Sequence, residues 1–251
     1  MAQQRLDKII ASTGRYSRRE VKTLVREGCV LVDGRIAASA EDKCDPLTAR
    51  ISVNGEELFY REHTYVMLHK PAGVLSATED GRGETVLDLL APEYRKIGLF
   101  PVGRLDKDTE GLLLLTDDGA LAHDLLAPKK HVDKVYFVRT DGALDDADCK
   151  AFEQGITLGD GLECLPAKLE ILKSDAQSEA LITIHEGKFH QIKRMLASRG
   201  KPVVYLKRLS MGSLTLDEGL SKGEYRLLTA EEIKNLRESG QFAQGKAGAD
   251  K

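Results

Sequence analysis

The chain has 251 residues, 41% hydrophobic and 31% charged, with a formal charge of −3; this is an ordinary globular composition and excludes low-complexity and collagen-like chains. No run approaches the ~20 apolar residues of a membrane helix, and the polar start MAQQRLDKII lacks the apolar core of a secretory signal. Cys29, Cys44, Cys149 and Cys164 show no CxxC spacing, which argues against a disulfide scaffold and a zinc knuckle and suits a reducing cytoplasm.

Residues 3–11 place Leu6, Ile9 and Ile10 on one helical face, and Gly14 ends that helix. Ser17, with Glu20 three positions on, reads as a capping box that opens a second helix. Its apolar face is Val21, Leu24 and Val25; Arg18, Arg19, Lys22 and Arg26 lie largely opposite. Gly28 stops it, and CVLVDGRIA predicts two short strands around an Asp33-Gly34 turn. Short strand-like pieces continue to residue 60 around Asn54-Gly55, and 61–64 is polar enough for a linker. Residues 1–36 hold eight Lys/Arg against four Asp/Glu, a local +4. A basic helix is ordinarily a solvated face, but a basic helix followed at once by a hairpin also suits an RNA surface.

From Tyr65 the composition changes. YVMLHKPAGVLSA predicts a strand entering a Pro/Gly turn, and GETVLDLLAPEYR a helix with Thr85 as its cap. Leu112 to Leu115 form the continuous apolar run of a fully buried strand. Asp117-Asp118-Gly119 opens the helix ALAHDLLAP, and VDKVYFVRTDG is a further strand. Residues 141–180 hold three basic and ten acidic residues, a local −7, and mix a helix with strands. EALITIHEG alternates as a strand, FHQIKRMLASRG is an amphipathic helix, VVYLKRLSMGSLTL gives two strands, and TAEEIKNLRES a capped helix. Residues 187–208 carry seven Lys/Arg and no acid, a local +7, so the overall negative charge does not exclude a polyanionic partner. The tail is small, polar and expected to be disordered. The fold class is α+β: a small helix-helix-hairpin domain over 1–60, a mixed, largely antiparallel sheet with flanking helices over 65–236, and a tail over 237–251.

No GxGxxG after a strand, GxxxxGK[ST], HExxH or GxSxG sequence is present, and His185 and His190 are poorly spaced for a shared metal. What stands out is Gly103-Arg104-Leu105-Asp106-Lys107-Asp108-Thr109-Glu110-Gly111, dense in charge immediately before a buried strand. A loop held by a rigid strand is where catalytic groups are positioned. It is also what a polar turn with a local Asp cap looks like. The spacing does not choose between Asp106, Asp108 and Glu110.

RLDKIIASTGRYSRREVKTLVREGCVLVDGR resembles the S4-type RNA-binding domain over residues 3–50. GRLDKDTEGLLLLTDDG (103–119) resembles the signature of ribosomal RNA pseudouridine synthases. LHKPAGVLSA (68–77), Lys134-Val135-Tyr136 and EGKFHQIKRML (186–196) resemble three further motifs of that family, in the family's order. The pairing of domains and the FPVGRLDKDTEGLLLLTDDGALAHDLLAPKKHVDKVY stretch are similar to the small-subunit (16S) members, as is the lack of a long basic tail. The resemblance implies isomerisation of one uridine to pseudouridine, with no metal, nucleotide or redox cofactor. It implies that Asp106 is the catalytic aspartate, acting either by attack on the ribose or by removal of a ribose proton. A carboxylate in a dry pocket keeps its charge beside a cation, and the resemblance places Lys193 there. It places Tyr136 against the target base, where stacking contributes ~1–3 kcal/mol. Arg104, Lys107, Lys188 and Arg194, with Arg18, Arg19, Lys22 and Arg26 of the first domain, are the candidate RNA contacts. The implied partner is ribosomal RNA or a small-subunit assembly intermediate, met by a cytoplasmic monomer and no membrane. The alternatives are a 23S or tRNA synthase, or a non-catalytic ribosome-assembly factor retaining the fold.

Overall fold

A computed structural model describes residues 3–242. Its contacts group the chain into two compact units: residues up to Thr64 together with Leu90–Leu99, and Tyr65–Leu89 together with Phe100 onward.

The first unit runs β1 (Gln4–Arg5), α1 (Leu6–Ala11), α2 (Arg18–Arg26), β2 (Val30–Val32), β3 (Arg35–Ile36), β4 (Lys43–Cys44), β5 (Ile51–Val53) and β6 (Glu56–Leu58), with α3 (Pro92–Lys96) added from later in the chain. The capping box of α2 forms as its spacing predicts. The Ser17 hydroxyl accepts from the Glu20 amide at 3.2 Å, and the Glu20 carboxylate accepts from the Ser17 amide at 2.6 Å. Asp33 (φ 51°) with Gly34 (φ 78°), and Asn54 (φ 53°) with Gly55 (φ 81°), supply the paired positive φ that tight hairpins need. The sheet order is β3-β2-β5-β6, with β1 paired to β4. Leu6, Ile9, Ile10, Val21, Val25, Val30, Ile51 and Val53 form the core. Asp7 is buried beside them, where Arg18 reaches it at 3.0 Å and Arg5 at 2.9 Å.

The helix expected over GETVLDLLAPEYR is shorter than predicted. Thr85 bridges Leu75, residues 86–89 form turns, and only Pro92–Lys96 is helical. Proline disfavours helical backbone in the residue before it, so Pro92 starts a helix and cuts the preceding one off. Asp88 instead folds back on Thr85, accepting from its amide and hydroxyl at 2.9 Å each.

The second unit contains β7 (Tyr65–Lys70), β8 (Phe100–Pro101), β9 (Glu110–Thr116), α4 (Gly119–Leu126), β10 (Lys134–Asp141), α5 (Asp146–Gln154), β11 (Ile156–Thr157), β12 (Glu163–Cys164), β13 (Lys168–Lys173), β14 (Gln177–Ile184), α6 (Gln191–Ser198), β15 (Val203–Met211), β16 (Leu214–Thr215), β17 (Tyr225–Leu227) and α7 (Ala230–Phe242). Its main sheet is ordered β13-β14-β10-β15-β9-β7-β17. Every pairing is antiparallel except β15 with β9. All seven residues of β9 are buried, as the leucine run predicts. Met67, Leu112 and Leu114 pack on Leu121 and Leu125 of α4 and Leu236 of α7. Where β15 meets β9, Gly111 (φ +107°) lies against the Arg208 backbone, and a Cβ there would stand 2.2 Å from the Arg208 carbonyl oxygen. Glycine at 111 is therefore what lets the parallel strand close on the central one.

Helix α7 passes residue 236, where the second domain was expected to end, because Arg237 donates to the Tyr65 hydroxyl at 2.8 Å and to Asp118 at 3.2 Å. The rest of the expected tail, 243–251, lies outside the described residues. All four cysteines are free thiols. Among the described residues no helix is long and apolar enough to cross a membrane.

Candidate active site

Asp106 sits on the loop between β8 and β9, and the 68–77 segment builds the frame that holds it. Lys70, the last residue of β7, is fully buried. Its ammonium donates to the carbonyls of Pro71 (3.0 Å), Asp106 (3.2 Å), Lys107 (3.2 Å) and Thr109 (3.0 Å). The Gly73 amide donates to the Lys107 carbonyl at 2.7 Å. The Ser76 hydroxyl donates to the Leu105 carbonyl at 2.9 Å and accepts from the Leu105 amide at 3.1 Å. A buried lysine satisfied by carbonyl oxygens fixes the loop backbone from below. Burial pushes Lys70 down to about 8, with Asp108, Asp106 and Glu110 pulling the other way.

The three carboxylates of the loop go to different places. Glu110 is buried on β9 and accepts from Tyr205 at 2.7 Å and Lys222 at 2.9 Å. The Asp108 side chain is 74% exposed; Asp106 is 26% exposed and faces a hollow. Helix α6 presents Lys193 between them, with Nζ 3.0 Å from Asp106 Oδ2 and 2.5 Å from Asp108 Oδ1. Burial works against the Lys193 charge, but the hydrogen bonds to Asp108 and Asp106 outweigh it and hold the lysine above its ordinary value. The same bond from Lys193 lowers Asp108.

Two hollows share Asp106, Tyr136, Arg104, Lys188 and His190 in their walls, the larger of about 630 Å³, within the range of nucleotide-sized sites. Asp106, Tyr136 and Lys193 all line the smaller one. Tyr136, on β10, is buried at 7% exposure with Ile184 and Leu206 beside it. Arg104 and Lys107 are exposed at the mouth and hold no ion pair among the described residues. Lys188 lines both hollows but is held by Glu186 at 2.9 Å and by the Glu163 carbonyl. Arg194 turns away to Asp160 at 2.5 Å and lines neither hollow.

In the first unit, Arg18 is committed to buried Asp7, a structural duty the sequence reading did not foresee. Lys22 stands 3.6 Å from Glu41, and Arg26 donates to the Lys22 carbonyl and the Thr23 hydroxyl of its own helix. Arg19 is exposed with no acidic partner among the described residues.

Four residues of the site were missed. His190 places Nε2 3.6 Å from Asp106 Oδ1. Lys70 lies inside the 68–77 motif, and a lysine two residues after the apolar YVML run of a strand was the available signal. Lys134 and Arg208 line the larger hollow, both nine-tenths or more buried. Burial, and then Arg208 beside it, brings Lys134 down to about 8. No periodicity distinguishes such inward-facing cations from solvated ones.

The chain thus pairs a basic helix-and-hairpin unit with a mixed sheet that carries a lysine-paired aspartate and a buried tyrosine in one hollow. Residues 4–46 match the S4 domain, and residues 64–198 match the RNA pseudouridylate synthase family. The chain belongs to that family and is an isomerase. It is 51% identical to the RNA pseudouridine synthase YtzG of Bacillus subtilis over 93% of this chain and 98% of that one. It is 40% identical to ribosomal small subunit pseudouridine synthase A of Vibrio cholerae, over 92% and 99%. It is 39% identical to ribosomal large subunit pseudouridine synthase B of Bacillus subtilis, over 93% and 96%. A crystal structure of a pseudouridylate synthase superposes with a TM-score of 0.65 at 37% identity, covering 93% of this chain and 99% of that one.

Proposed function

We propose that this enzyme isomerises a uridine of 16S ribosomal RNA, in free or partly assembled small subunits, with Asp106 as its catalytic carboxylate. It works as a cytoplasmic monomer. The observation that carries the reading is the 3.0 Å contact between Lys193 and Asp106 in a hollow that also holds Tyr136. The lysine supplies the counter-charge a half-buried carboxylate needs beside a sugar. Asp106 acts at the ribose, by attack at C1′ or by taking a ribose proton, as the N1–C1′ bond breaks. The freed uracil turns over the Tyr136 ring, and C5 bonds to C1′ as Asp106 leaves that carbon or as the ribose proton is returned. The C5 proton leaves and N1 is protonated, so the product is an isomer of the substrate. Arg104 and Lys107 contact RNA around the extruded nucleotide, and Arg19, Lys22 and Arg26 contact its backbone. A 23S target is the second reading, because the Bacillus large-subunit relative matches almost as well as the Vibrio small-subunit one.

The test is to incubate the protein with 16S transcript, 23S transcript and small-subunit assembly intermediates, then map pseudouridine chemically. A new pseudouridine confined to 16S RNA, abolished by Asp106→Asn with the circular dichroism spectrum unchanged, is the expected result. Modification of 23S alone would move the target; full activity in Asp106→Asn would remove the catalytic assignment.

A further inference from the structure

We propose that Phe189 and His190 form a stacking step for the RNA base that neighbours the target uridine. The inference rests on the reading above and extends it to a second nucleotide. Phe189 is 74% exposed, an unusual position for a phenyl ring at the rim of a charged hollow. It lies flat on the His190 ring, with centroids 3.9 Å apart and planes 17° apart. His190 in turn stands beside Asp106. One face of the phenyl ring is thus covered on the Asp106 side by the imidazole, and the other is left bare. His190 holds a left-handed backbone (φ 50°, ψ 33°), which non-glycine residues adopt at a cost.

The support beneath the pair is fixed. Glu186 accepts from the Leu165 amide at 2.9 Å and from Gln191 Nε2 at 2.7 Å. Gln191 in turn accepts from the Lys188 amide at 3.0 Å, and its own amide donates to the Lys188 carbonyl at 3.1 Å. An exposed apolar ring on a pinned loop has little freedom to lose on binding.

Extruding a uridine strips its neighbour of a stacking partner. The target base has Tyr136, and among the described residues the only other aromatic rings lining either hollow are Phe189 and His190. The bare face of Phe189 offers the neighbour a surface, and stacking on it tolerates any base because every base has a π face. A protein surface docking on the same ring is the competing occupant, and the experiment separates the two.

The full-length protein and its Phe189→Ala and Phe189→Trp variants are assayed on short RNAs spanning the mapped uridine. Each neighbour of that uridine is either a natural base or an abasic ribose. Phe189→Ala should lower kcat/KM by about tenfold on natural RNA, the scale of losing one base–aromatic stack, mainly through KM, and Phe189→Trp should restore it. With the abasic ribose on one side, the wild type should fall to the level of Phe189→Ala, and the difference between them should vanish. A penalty that persists undiminished with either neighbour abasic, or no penalty on natural RNA, overturns the stacking step. Failure of the wild type to modify any ribosomal RNA would instead overturn the reading beneath it.

Discussion

Asp106, Asp108 and Glu110 were indistinguishable as a string of acids, because spacing reports neither burial nor partner. Their surroundings separate them. Glu110 is spent on Tyr205 and Lys222, and Asp108 lies in solvent, which leaves Asp106 as the carboxylate facing the hollow. Lys193 touches two of the three, which makes an asymmetric prediction. Lys193→Ala should lower kcat on the order of 10²-fold, the scale of losing one preorganised charge contact, with RNA affinity within about twofold. Asp108→Asn should keep activity within severalfold, since Lys193 then serves Asp106 alone. Single-turnover rates and filter binding on the same RNA check both; a larger loss from Asp108→Asn would reverse the assignment of the two carboxylates. The Lys193 hydrogen bond depresses Asp108, so the Lys193–Asp108 pair is intact at neutral pH and is lost as pH falls through the lowered Asp108 value. Protonation and Asp108→Asn neutralise the same carboxylate, so kcat should fall across that pH window by no more than the severalfold the substitution costs.

Among the elements, the ones legible in advance were those with strong local signals: the capping box of α2, the Asp33-Gly34 and Asn54-Gly55 hairpins, and the leucine run of β9. The turn region 84–91 was misread because its apolar spacing fits a helix, while Pro92 and the Asp88–Thr85 contact decide against one. The duty of β7 was hidden for a different reason. Its end looks like any strand entering a turn, and only the tertiary fold brings four carbonyls around Lys70. Replacing that ammonium by a thioether leaves those carbonyls buried with fewer donors and frees the loop that carries Asp106. Lys70→Met should therefore reduce kcat on the order of 10²-fold, the cost of misplacing a reacting group by about an ångström, with little change in RNA affinity. Burial depresses Lys70 to about 8, so its charge is present below that pH and is lost as pH rises through it. The wild-type kcat should fall along an alkaline limb near pH 8, and that limb should be absent from the residual activity of Lys70→Met. A pH-independent wild-type rate from 7 to 9 would refute the charged clamp.

For the molecule as a whole, a net charge of −3 conceals basic stretches over 1–36 and 187–208, and the ion pairs of Arg18 and Arg194 show that not every cation in them is available to RNA. Arg18 and Arg19 are adjacent on α2 and would be exchanged freely by any argument from composition. Arg18 holds buried Asp7, while Arg19 is exposed with no acidic partner among the described residues. Burial alone would raise Asp7; the hydrogen bonds from Arg5 and Arg18 more than offset it and hold the carboxylate below its usual range. A depressed carboxylate contributes stability that is present above its unfolded value of 3.8 and is lost as pH falls through the lower folded value. Arg18→Ala should thus destabilise the first unit by about 1–3 kcal/mol, the cost of leaving a buried charge with one partner fewer, and should move its acid unfolding to higher pH. Arg19→Ala should leave both unchanged and instead reduce the slope of log K against log salt by about one, as expected for one lost phosphate contact. Urea melts at pH 7 and pH 3, set beside RNA titrations at three salt concentrations, separate the two residues. A salt slope that shifts with Arg18→Ala and not with Arg19→Ala would mean that the buried carboxylate yields its arginine to RNA on binding.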